Sequence, residues 1–66
     1  MNYSLIGVDG NAYSLMAYTA TAMKNEGFSK QEIDNMYKDA TQGDYNNLIC
    51  VCDSWIAKVN QKLEEG

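Results

Sequence analysis

The stretch Phe28-Ser29-Lys30-Gln31-Glu32-Ile33 constrains the fold more than any other, because it carries a full set of signals for starting a helix. Ser29 is placed to accept from the backbone N–H three residues on, and Glu32 stands at that position to reach back to the Ser29 N–H. Phe28 before the cap and Ile33 at the fourth helical position are spaced to form a hydrophobic staple. Together these devices contribute about 1 to 2 kcal/mol. Gly27, just upstream, is the stop signal of a preceding helix.

The remaining punctuation follows the same logic. A first helix is expected over about 12–25, with Asp9 or Asn11 as its N-cap and an apolar face of Ala12, Leu15, Met16, Thr19, Ala22 and Met23. The opposite side still carries Tyr13, Ala17 and Ala20, and its small residues would admit a second helix closely. The helix opened by Ser29 is expected over about 30–41, burying Ile33, Met36, Tyr37 and Ala40 and stopping before Gly43. Asp44 caps a third helix over about 45–63, with Leu48, Cys52, Trp55, Val59 and Leu63 as its stripe, widened by Ile49, Val51 and Ile56. Lys58 and Lys62 complement its dipole, whereas Glu64 and Glu65 do not, so the tail is expected to fray.

Tyr3 to Val8 is a short apolar run with β-branched residues, ended by the turn signal Asp9-Gly10-Asn11. It reads as a short strand or extended arm over 3–8. No second strand-like run follows, so its backbone groups must pair with another copy, with the helices or with water. Pairing across a dimer axis is the favoured outcome.

The expectation is thus a single all-α domain of three helices preceded by a short N-terminal strand or arm, assembled as a homodimer or higher homo-oligomer. At 66 residues the chain falls below the roughly 70 to 80 at which one apolar core usually suffices. Cys50 and Cys52 cannot staple it, since a helix points residues two apart about 200° from each other. Two thiols without histidine also fall short of a four-ligand zinc site. Self-association remains as the means of burying more surface. The expected core is Leu15, Met16, Met23, Phe28, Ile33, Met36, Leu48, Cys52, Trp55, Ile56 and Val59, with Trp55 so central that Trp55→Ala should unfold or dissociate the protein.

Function is constrained mainly by what is missing. The chain has no histidine, and all five of its basic residues are lysines. It therefore lacks the usual neutral-pH proton carrier and the usual bidentate reader of phosphates and guanine edges. No catalytic residue and no cofactor is expected. Asp34 with Asp39, or Glu32 with Asp39, are badly spaced for shared acid–base or metal chemistry. A formal charge of −4 disfavours a duplex nucleic-acid surface. No run of residues is long enough for a membrane span or a signal-peptide core, and a cytoplasmic location with reduced cysteines is expected.

Three stretches together resemble a small family of helical proteins from phages and bacterial mobile elements. They are Val8-Asp9-Gly10-Asn11-Ala12-Tyr13-Ser14-Leu15-Met16, then Gly27-Phe28-Ser29-Lys30-Gln31-Glu32-Ile33-Asp34, then Gly43-Asp44-Tyr45-Asn46-Asn47-Leu48-Ile49. The family pattern has Asp and His where this chain has Asn46 and Asn47, so any proton-transfer role of that His is absent here. The resemblance implies a small mobile-element protein working in a bacterial host cell. Anti-defence activity, by blocking a host immune protein or sequestering its nucleotide signal, is the occupation that context suggests.

Two helix starts are the candidate ligand-binding positions, because an uncovered N-terminus presents free N–H groups and a positive dipole to an anion. At the first, Asn11 could read a base edge and Tyr13 could stack on it; at the second stand Tyr45 and Asn46. Lys24 is the candidate phosphate partner. Against this, capping is the commonest job of Asp and Asn at such positions, and lysines among acids usually form a solvated face. The favoured expectation is a non-catalytic binder holding a small nucleotide-like signal at pockets between subunits. Its alternative is an inhibitor or adaptor that presses an acidic, tyrosine-rich surface on a host defence protein.

Overall fold

The computed structural model describes residues 2–65 and contains three helices, α1 Ala12–Asn25, α2 Lys30–Ala40 and α3 Tyr45–Glu65, with each packed on the other two. They run up, down and up. One end of the bundle gathers the starts of α1 and α3 with the end of α2, and the other gathers the end of α1, the start of α2 and the end of α3.

The corner between α1 and α2 forms as its residues dictate. Gly27 takes φ +83°, the left-handed conformation that closes a helix. Phe28 N–H then donates to the Met23 carbonyl at 2.9 Å and Gly27 N–H to the Lys24 carbonyl at 3.1 Å, the paired bonds of a Schellman ending. One residue later the next helix is capped: Glu32 N–H donates to Ser29 Oγ at 3.1 Å, while Ser29 N–H donates to Glu32 Oε1 at 3.0 Å. The Ser29 hydroxyl donates to the same carboxylate oxygen at 3.0 Å. These hydrogen bonds favour the charged form and hold the Glu32 carboxyl below its ordinary range, helped by the nearby Lys62 and Lys58 ammonium groups.

The core lies where the three apolar stripes meet. Met23, Met36, Cys52, Val59 and Thr19 are fully buried, and the Thr19 hydroxyl donates to the Leu15 carbonyl at 2.8 Å, so this one polar side chain enters the core satisfied. Burial pushes the Cys52 thiol up, with Thr19 pulling the other way. Leu15, Met16, Leu48 and Ile56 complete the buried part of the expected core. Phe28, Ile33 and Trp55 do not belong to it; they are half-buried at its rim. At 100° per residue the stripe of α3 is centred on Cys52, Ile56 and Val59, which leaves Trp55 at its edge. Tyr37, expected on the buried face of α2, is 38 % exposed.

Helix α3 extends to Glu65, two residues beyond the expected end at about 63, and Lys62 in its last turns lies over the Phe28 ring at 4.9 Å. Among the described residues there is no strand. Gly7, inside the apolar run, takes φ +87°, and Val8 N–H donates to the Leu5 carbonyl at 3.1 Å, so Leu5–Val8 is a type II turn that interrupts any strand.

The arm's backbone finds its partner inside the chain. The Asn60 side chain of α3 accepts from Tyr3 N–H at 2.8 Å and donates to the Tyr3 carbonyl at 2.9 Å, while Ser4 N–H donates to the Tyr18 hydroxyl at 3.0 Å. One amide side chain thus does what a neighbouring strand would have done. The accessible surface of 4326 Å² is close to the roughly 4200 Å² that scaling gives for a compact monomer of this size. Among the described residues no helix is long and apolar enough to cross a membrane.

Candidate binding face

The end of the bundle that carries the starts of α1 and α3 is built from two different caps. Asp9 Oδ1 accepts from Asn11 N–H at 3.2 Å, and Asn11 Oδ1 accepts from Tyr13 N–H at 2.8 Å, so Asn11 is the N-cap of α1 and Asp9 buttresses it. Asp44 Oδ1 accepts from Asn47 N–H at 2.9 Å and caps α3. The Asn47 side chain in turn donates to the Asp39 carbonyl at 2.9 Å, closing the end of α2 against the start of α3. The Tyr45 hydroxyl donates to the Gly10 carbonyl and ties the loop before α1 to α3.

These ties leave a groove of about 350 Å³ between the three helix ends. Met16, Ala40 and Leu48 give it an apolar floor, and Tyr13, Asp44 and Tyr45 form its walls. Tyr13 is 79 % exposed and Tyr45 46 %. Asp9, Asp39 and Asp44 stand at this end against Lys38 alone, while Lys24, Lys30, Lys58 and Lys62 lie toward the other among Glu26, Glu32, Asp34, Glu64 and Glu65.

The sequence candidates are therefore only partly brought together. Tyr13 and Tyr45 share the groove, and Asn11 adjoins it, with its side-chain oxygen committed to the cap. Asn46 is exposed in the first turn of α3 and is not part of the groove wall. Lys24 sits in the last turn of α1, eleven residues and roughly 16 Å along the helix from Tyr13. It cannot neutralise a ligand held in the same groove of one chain.

Sequence reasoning missed two other constellations. Tyr3 packs edge-to-face on Tyr18 with centroids 6.2 Å apart, and its hydroxyl donates to Glu26 Oε2 at 2.9 Å. That bond to a carboxylate holds the Tyr3 phenol in its protonated form and raises its pKa. At the far end Phe28 and Trp55 pack edge-to-face at 6.0 Å, with Lys58 Nζ 4.1 Å from the Trp55 centroid and Lys62 Nζ 4.9 Å from that of Phe28. The spacing of Trp55, Lys58 and Lys62 along one helix was a usable signal for the second. Nothing in the sequence marks Asn60 as the partner of a residue 57 positions away.

No protein-family model, curated protein or solved structure matches the chain.

Proposed function

We propose that the chain is a non-catalytic binding protein whose working face is the Tyr13–Tyr45 end, and that it acts as an inhibitor or adaptor by engaging a basic patch on a host protein. The observation that carries this reading is the exposure of Tyr13 and Tyr45 beside an apolar-floored groove, at an end where Asp9, Asp39 and Asp44 stand against Lys38 alone. Tyrosine gives large contact area with a polar tip, and aromatic residues are enriched at interface centres. The titratable groups on the groove wall are Asp44 and two phenols, with no nucleophile–base pair among them. The resemblance to phage and mobile-element proteins supplies the setting, an anti-defence role in the bacterial cytoplasm. Capture of a host protein by the tagged chain tests it: a Tyr13→Ala, Asp44→Asn double variant with unchanged melting should lose the captured protein. Retention of that protein would overturn the choice of face.

A second reading is the sequestration of a nucleotide-like signal between two copies. It is favoured by the Tyr13 ring standing beside the start of α1, and it requires a dimer, because the groove of one chain is open on one side. Under this reading a panel of cyclic and linear nucleotides should raise the melting temperature, since a ligand at 100 times its Kd adds about 2.7 kcal/mol. Sedimentation at micromolar concentration should then show a dimer; a stable monomer with no shift for any nucleotide removes this reading.

A further inference from the structure

We infer that the Tyr13–Tyr45 groove seats one long cationic side chain, an arginine or lysine presented by the partner protein. This rests on the reading of that end as the working face and names what the face reads. The first support is electrostatic. Both helix starts are already occupied by oxygen acceptors, Asn11 on the Tyr13 N–H and the Asp44 carboxylate on the Asn47 N–H. An anion would compete with these caps and meet Asp44 at close range, whereas a cation meets that carboxylate, the carbonyl end of α2 at Ala40 and Thr41 and two exposed tyrosines, which together oppose the positive ends of α1 and α3. Three acids against one lysine at this end act in the same direction.

The second support is shape. Arginine and lysine carry an aliphatic stem that prefers apolar surface and a charged head that prefers water or a counter-charge. Met16 and Leu48 supply the floor for the stem, and Asp44 with the exposed Tyr13 and Tyr45 side chains supplies the rim for the head. A groove of about 350 Å³ has room for one such side chain. The Tyr45 hydroxyl is committed to the Gly10 carbonyl, which fixes that wall before any partner arrives.

The test uses a minimal probe. The ¹⁵N-labelled chain is titrated with N-acetyl-arginine amide and, in parallel, with N-acetyl-citrulline amide, which keeps the shape and lacks the charge. Saturable amide shifts confined to Tyr13 and the Gly43–Leu48 stretch are expected with the arginine probe, and at least tenfold weaker binding with citrulline. Tyr13→Ala and Asp44→Asn should each weaken the arginine probe several-fold, while Tyr13→Phe, which keeps the ring, should retain it. Asparagine also caps helices, so the Asp44 variant keeps the fold. Shifts that fail to saturate, that spread equally to Asp34 and Asp53, or that citrulline reproduces would overturn the inference. If such a result accompanies loss of the host protein in the double variant, the face is an interface that does not read a single cation. If the host protein is retained as well, both readings fall.

Discussion

The two ends of the bundle use the same kinds of residue for opposite ends. At the α1–α2 corner, Phe28 and Trp55 pack against each other, two lysines lie over their rings, and the Schellman and capping-box bonds satisfy the local backbone. At the other end, Asn11 and Asp44 satisfy the backbone equally well, yet Tyr13 stands 79 % exposed. Capping alone therefore does not tell a structural end from a working one. The difference lies in whether the aromatic rings have found partners inside the chain.

The contrast breaks first if the corner proves to be core. Met23→Ala, at a position with no exposure, should cost about 2–5 kcal/mol in urea unfolding. Trp55→Ala at the rim should cost less, about 1–3 kcal/mol; equal losses would return Trp55 to the centre of the fold. Gly27→Ala comes next, at about 1–2 kcal/mol for a side chain forced into the left-handed region. Its Cβ would also approach Lys62 Nζ to 3.3 Å. A melting temperature unchanged by this substitution would mean that the corner does not depend on the Schellman ending.

Ser29→Ala should cost about 1 kcal/mol near neutral pH, and the partner carboxylate gives that loss a pH signature. The folded-state pKa of Glu32 is lowered, so its contribution is present above the ordinary carboxylate pKa and disappears as pH falls through the depressed value. The stability gap between the parent and Glu32→Gln should therefore close in acid; a gap independent of pH would remove the charge from the capping box. The smallest stability effect belongs to the working face. Tyr13→Ala should leave unfolding free energy within about 0.5 kcal/mol of the parent, and a larger loss in urea would show that the ring is packed after all.

Most of the helical framework was legible because its signals are local. Ser29 with Glu32, Gly27 and Asp44 each act within one turn, and of the stripe read along α3, Leu48, Cys52 and Val59 are buried while Trp55 and Leu63 fall at its edge. Of the two readings of Tyr3–Val8, strand or extended arm, the strand is excluded where Gly7 permits a type II turn, a local signal outweighed by the apolar run around it. Of the binding candidates, Tyr13 and Tyr45 were chosen separately from their helix starts. Their meeting in one groove, and the separation of Lys24 from both, depend on how the helices pair.

The sequence by itself determined where each helix starts and the centre of the stripe it buries, because caps and periodicity are settled within a few residues of chain. Tertiary structure decided the rest: that Asn60 takes the place of a neighbouring strand for Tyr3, that Trp55 sits at the rim, and that two tyrosines 32 positions apart face one groove. Those outcomes follow from contacts between distant segments, whose geometry is set by packing three helices together and is written in no single stretch of residues.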